Sequence, residues 1–110
     1  VILFKSQQNT TESPVYITES GCASPDKLNV EGLVSDPDRV AYFRDYLHAA
    51  SLAIEDRVNL KGYFAWSLLD NFEWAEGYTQ RFGIIYVDFT TQKRIPKNLF
   101  YFLKNIFHNN

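Results

Sequence analysis

The sequence predicts an α/β fold with parallel strands. Two short runs rich in β-branched and aromatic residues, Val15 to Thr18 and Lys61 to Trp66, have the length and bounds of buried strands. Between them lies a long amphipathic stretch, and a second one closes the chain. The order strand, helix, strand, helix argues for parallel strands joined by right-handed crossovers. Such strands are normally covered on both faces, and two strands with two helices cannot supply that cover, so more structure is expected around them.

The elements follow in order. Val1 to Phe4 is an apolar stub, read as the end of a helix or strand that begins upstream, and Ser6 to Ser13 is a polar, turn-rich loop closed by Pro14. The first strand then runs from Val15 to Thr18 and delivers Glu19, with Ser20-Gly21 as its stop. Cys22 to Ser35 has no consistent period and reads as a loop long enough to suspect a function. Ser35-Asp36-Pro37-Asp38 supplies an N-cap, a proline set for the first helical turn and an acid that suits the helix dipole. Val40, Phe43, Leu47, Ala50 and Ile54 recur at three- and four-residue steps, one apolar stripe of the first helix. Arg57 stands where a glycine is favoured at the helix end.

After the second strand, Ser67 to Gly77 must turn, with Asp70-Asn71 as solvent-facing turn formers. Ile84 to Val87 extends briefly, and Pro96 is expected to start the final helix, whose Leu99, Phe102, Leu103 and Ile106 share a face.

Composition narrows the function. The chain is 45% hydrophobic and 16% aromatic, enough to form a core, and its formal net charge of -2 offers no basic face for a nucleic-acid partner. No apolar run approaches the roughly 18 to 20 residues that span a bilayer. Cys22 is the one cysteine, with no metal-spaced neighbours, so neither a disulfide, a metal nor a cofactor is expected; it favours a cytoplasmic location. Methionine is absent even at position 1, so the true N-terminus is expected upstream. Asn9-Thr10-Thr11 would be a glycosylation site only in a secreted protein.

The chemistry concentrates in YFAWSLLDNFEWAEGY, Tyr63 to Tyr78. Tryptophan faces stack on the apolar side of a pyranose, and carboxylate and indole N–H groups hydrogen-bond its hydroxyls. Trp66 ends a strand and is either a stacking platform or a core residue. Phe72 and Trp74 alternate with Asp70, Glu73 and Glu76 in a loop with little reason to hold large aromatics unless it binds something. Glu19 follows a strand, where catalytic groups of parallel α/β folds collect, although on spacing alone such a glutamate is more often a solvated loop residue or a helix-capping partner. Taken together, a carboxylate at one strand end and a sugar-like lining at the next point to glycoside hydrolysis.

YITESG (Tyr16 to Gly21), GYFAWSLLDNFEWAEGY (Gly62 to Tyr78) and RFGIIYVDF (Arg81 to Phe89) closely resemble the C-terminal part of glycoside hydrolase family 1, the β-glucosidases and relatives. The resemblance runs from about Pro14 to Phe107. It implies that the 110 residues are one partial domain, about the last two βα units of a TIM (β/α)₈ barrel, whose partner is the remainder of that barrel. By position it implies Glu19 as the nucleophile of a retaining β-glycosidase and Trp66 as the platform beneath the glycone. Glu73 would take the 4- and 6-hydroxyls, Trp74 the 3-hydroxyl, and Phe82 would line the pocket near the 6-position. The substrate implied is a small glycoside, with a terminal β-linked glucose first.

Two positions depart from the family pattern: Ser20 stands where asparagine is usual after the nucleophile, and Arg57 where glycine is usual. The acid/base partner, required about 5 to 5.5 Å from the nucleophile, comes in this family from an Asn-Glu-Pro segment that does not occur here. Glu12, Glu31, Glu55 and Glu76 are better explained by solvent, so the isolated segment is expected to be inactive. Within the family, a 6-phospho-β-glucosidase would place serine near the Glu73-Trp74 position, and Glu73 would repel a phosphate. A thioglucosidase or a non-catalytic glycan-binding relative would differ at the acid/base position.

Overall fold

The computed structural model describes residues 13–109. The apolar stub, the sequon Asn9-Thr10-Thr11 and Glu12 lie outside the described residues. Strand β1 (Val15–Ser20) pairs in parallel with β2 (Leu60–Ala65), and helix α1 (Pro37–Glu55) crosses between them. A short antiparallel pair follows, β3 (Ile85–Val87) with β4 (Arg94–Pro96), and α2 (Asn98–His108) ends the described chain.

Both helices cover one face of the parallel pair. Phe43 of α1 and Leu99 and Leu103 of α2 form the buried centre, with Tyr63 and Ala65 of β2 and Ile84 packed against it. The opposite sheet face is open: Tyr16 and Phe64 stand 54% and 58% exposed. The overall shape agrees, since the radius of gyration is 16.1 Å and the thinnest extent 18 Å. A compact chain of this length would have a radius near 13 Å. A slab with one sheet face uncovered is what the strand count implied.

Helix α1 begins as expected, with Asp36 at the N-cap and Pro37 behind it, but the Asp36 carboxylate makes no cap bond within its own helix. It accepts instead from Arg39 Nη1 at 2.9 Å and from the Leu99 backbone N–H at 3.2 Å. The carboxylate therefore satisfies a donor in the first turn of α2, which has no side-chain cap of its own. The expected stripe holds for Val40, Phe43, Leu47 and Ala50 and fails at Ile54, which is 54% exposed while Ala53 is buried. The end of α1 leans on the sheet through the smaller residue. Past its end Arg57 adopts φ 67°, with Arg57 N–H donating to Ile54 O and Val58 N–H to Ala53 O. That is a Schellman closure with arginine in the left-handed position where glycine is favoured.

Pro96 does not start the final helix. It is the last residue of β4, paired with Ile85, and the helix begins at Asn98 after Lys97 at φ -87°, ψ 174°. Lys97 is fully buried and held by carboxylates, so the chain must stay extended through it before it can coil. No helix among the described residues is long and apolar enough to cross a membrane.

Candidate functional site

The carboxyl ends of β1 and β2 lie side by side: Ser20 pairs with Ala65, and the Trp66 N–H donates to Ser20 O at 2.7 Å. Glu19 is the penultimate residue of β1 and is exposed. The strand thus runs two residues further than its β-branched core, and Glu19 sits within it. Gly21 allows the junction: a Cβ there would stand 2.4 Å from Trp66 O and 3.2 Å from Phe82 Cδ1. Glu19, Trp66 and Phe82 are in this way drawn to one strand end, with Ser67 N–H donating to Phe82 O at 3.0 Å. Trp66 is 39% exposed. The Trp66–Ser67 peptide is cis.

Glu73 and Trp74 lie further out, on the loop that leaves this junction. Trp74–Glu76 forms a single 3₁₀ turn, closed by Glu73 N–H to Gly77 O at 2.7 Å and Gly77 N–H to Trp74 O at 3.1 Å. Trp74 takes φ 41° and stands 83% exposed. Phe72 and Tyr78 meet edge to face across the loop, and Tyr78 continues onto Phe89. Glu76 is exposed in the turn, as a rim residue would be. Among the described residues no side chain hydrogen-bonds the Glu19, Glu73 or Trp74 side chains.

The loop stem is fixed by a group the sequence reading missed. Asp70 is 4% exposed, not a solvent-facing turn former. Its carboxylate accepts from Lys97 Nζ at 2.8 Å, Arg81 Nη1 at 2.7 Å, Gly83 N–H at 2.9 Å and Val87 N–H at 3.2 Å. A side chain at Gly83 would collide with it, since a Cβ there falls 2.2 Å from the Asp70 nitrogen. Lys97 also binds Asp26, and Asp26 binds Arg39 Nη2 at 2.9 Å. Arg39 reaches on to Asp36, Cys22 O and Arg81 O. Burial works against the Arg39 charge, but hydrogen bonds to Asp26 and Asp36 outweigh it and hold the guanidinium above its ordinary value.

Three carboxylates, Asp26, Asp36 and Asp70, thereby meet three cations, Arg39, Arg81 and Lys97, and no buried side-chain polar atom among the described residues lacks a partner. Asp70 and Arg81 bracket the loop, so the network clamps its stem, while the tip carries no ion pair and is tied only by its turn and by Thr79 Oγ1 donating to Glu76 O at 2.6 Å. No signal in the sequence could have revealed this, because Lys97 and Asp26 are 71 positions apart. Asn71 does shape the turn, donating through Nδ2 to Ser67 Oγ and Leu69 O.

No group of three or more His, Cys, Asp or Glu placed to hold a metal occurs among the described residues. Cys22 is a free thiol whose carbonyl, not its sulfur, joins the network.

Comparison with known proteins adds the family. The model of "Glycosyl hydrolase family 1" matches residues 2–110. Beta-glucosidase A of Thermotoga maritima is 50% identical over 109 residues, which cover 99% of this chain and 24% of that protein. A bifunctional beta-D-glucosidase/beta-D-fucosidase of Bifidobacterium breve is 47% identical over 102 residues, 89% of this chain and 22% of the relative. The solved structure of the Thermotoga maritima β-glucosidase in complex with glucoimidazole superposes with a TM-score of 0.94 at 48% identity, covering 99% of this chain and 25% of that one. The chain therefore spans about a quarter of the length of the relatives it matches. The fold is α/β, the C-terminal part of a TIM (β/α)₈ barrel.

Proposed function

The chain belongs to glycosyl hydrolase family 1, and from that premise we propose that the protein containing it is a retaining β-glucosidase acting on terminal β-linked glucose in small glycosides. Glu19 attacks the anomeric carbon and forms a covalent glycosyl-enzyme, which water then releases with net retention. Trp66 stacks beneath the glycone, Glu73 accepts hydrogen bonds from the 4- and 6-hydroxyls, and the Trp74 indole N–H donates to the 3-hydroxyl. Phe82 closes the wall near the 6-position.

The observation that carries the reading is the adjacency of two parallel strand ends, one holding Glu19 and the other Trp66, joined by the Trp66 N–H to Ser20 O bond. A strand end is stiff enough to hold a nucleophile within the small error that covalent attack tolerates. The leaving group's proton must come from a second carboxyl group, supplied with the rest of the barrel. The 110 residues alone are accordingly expected to show no turnover.

The test is hydrolysis of a nitrophenyl β-glucoside by the full-length protein and by its Glu19→Gln variant. Loss of turnover in the variant, with binding of glucose analogues kept, is the expected result. Equal activity in the two proteins sinks the nucleophile assignment.

A further inference from the structure

Three hydroxyls meet behind the strand end, and the chemistry proposed above uses none of them. Tyr63 Oη donates to Ser20 Oγ at 2.7 Å, and Tyr42 Oη lies 3.2 Å from the same oxygen. They come from β2, β1 and α1, on the helix-covered side of the sheet, where Tyr42 and Tyr63 pack against the Phe43 core.

The register of β1 gives this cluster a role. Ile17 pairs with Tyr63 and Ser20 with Ala65, so three steps along β1 match two along β2. One residue of β1 is extra, which defines a bulge, a device that re-aims side chains beside active sites. Side chains two apart share a face. Without the bulge Glu19 would follow Ile17 onto the helix side and stand where the Ser20 hydroxyl now stands. With it, Ser20 takes that phase and Glu19 is released to the exposed side. Two phenols meet the Ser20 hydroxyl there. Burial raises the Tyr63 phenol above its ordinary value, against the pull of its bond to Ser20, so it keeps its proton at neutral pH.

We infer that the Tyr63–Ser20–Tyr42 hydroxyl cluster latches the β1 bulge in the phase that presents Glu19, which makes Ser20 and Tyr63 positioning residues for the nucleophile. The inference rests on Glu19 being that nucleophile. It also gives a reason for serine at a position where asparagine is usual in the family: a short hydroxyl fits beneath two phenols.

The experiment uses the full-length protein with Ser20→Val, Ser20→Thr, Tyr63→Phe and the double variant Ser20→Val/Tyr63→Phe. Valine and threonine have nearly the same shape, and only threonine keeps the hydroxyl. Ser20→Val and Tyr63→Phe should each lower kcat roughly ten-fold or more with KM changed less than about two-fold, as expected of a misplaced nucleophile. Ser20→Thr should stay near wild type, and the double variant should be no worse than Ser20→Val. The rate of inactivation by a 2-deoxy-2-fluoroglucoside, which reports attack by the nucleophile itself, should fall in step with kcat.

Equal activity of the threonine and valine variants overturns the latch, as do multiplying effects in the double variant. A loss carried by KM alone, or a change in melting temperature without a change in kcat, does the same. Tyr63→Phe removes a single oxygen and keeps the test decisive if a Ser20 variant fails to fold. Glu19→Gln separates the two readings. If it is inactive while Ser20→Val and Tyr63→Phe match wild type, the latch alone fails; if it is active, the nucleophile reading fails first.

Discussion

Asp70 and Trp74 are four residues apart and belong to opposite regimes. Asp70 sits in a largely buried cluster of three carboxylates and three cations in which no buried side-chain polar atom lacks a partner. Trp74 stands 83% exposed on a loop tip tied down by its own turn and by one neutral bond, Thr79 Oγ1 to Glu76 O at 2.6 Å. A buried charge is tolerated only where several partners answer it, whereas an exposed tryptophan costs little to the fold and is free to bind. The molecule thus separates holding from reaching. The cluster fixes the stem of the loop through Asp70 and Arg81, and the tip carries Glu73 and Trp74 on a 3₁₀ turn held by backbone bonds and by Thr79 Oγ1.

That division can be broken or sharpened by substitution in the full-length protein. The largest expected effect is Lys97→Met, which leaves Asp26 and Asp70 facing each other with one cation fewer. Denaturant unfolding should show a loss of about 3 kcal/mol or more, and the proposed glucosidase activity should fall with it. A loss of less than about 1 kcal/mol would show that the cluster is not what holds the stem. Trp74→Ala should do the reverse. Stability stays within about 0.5 kcal/mol, while on the proposed function kcat/KM for a β-glucoside falls roughly ten-fold or more through loss of the proposed hydroxyl contact. A stability change as large as that of Lys97→Met would erase the distinction.

Arg57 lies outside both regions and calibrates the smaller end of the scale. Its φ of 67° makes Arg57→Gly a stabilising change of about 1 kcal/mol, read as a shift in denaturant midpoint with activity unaltered. The smallest effect concerns pH. Burial raises the Tyr63 phenol, so the folded state holds this proton more tightly than the unfolded chain does. The contribution is fully present below the ordinary phenol value of about 10 and is lost as pH rises through the folded value. Tyr63→Phe should flatten the alkaline decline in melting temperature, measured relative to the variant's own value at neutral pH.

The same contrast explains what could be seen in the sequence. Helix α1 was legible because its signals are local: Asp36-Pro37 at the start, Phe43, Leu47 and Ala50 along one side, and a position wanting glycine at Arg57. Glu19 and Trp66 were legible as a pair because parallel strands end together. Strand β4 was not, since Arg94–Pro96 is held extended by tertiary bonds to Lys97 and by pairing with β3, and proline at a helix start is the stronger local reading. Asp70 was misread for the same reason. Asp-Asn is a turn signal in solvent, and nothing local announces that Lys97 and Arg81 will arrive to bury it.

The carboxylate of Asp36 bears on the order in which the chain assembles. It begins α1 and satisfies the Leu99 N–H in the first turn of α2, 63 positions away. A helix whose opening turn is completed by so distant a residue gains that bond only after a long loop has closed, and the entropy of closure is spent before the bond returns anything. Helix α1 can form from its own neighbours, whereas α2 matures when it docks. Amide exchange should accordingly find the first turn of α2 among the last segments to become protected during refolding, and Asp36→Ala should delay it further.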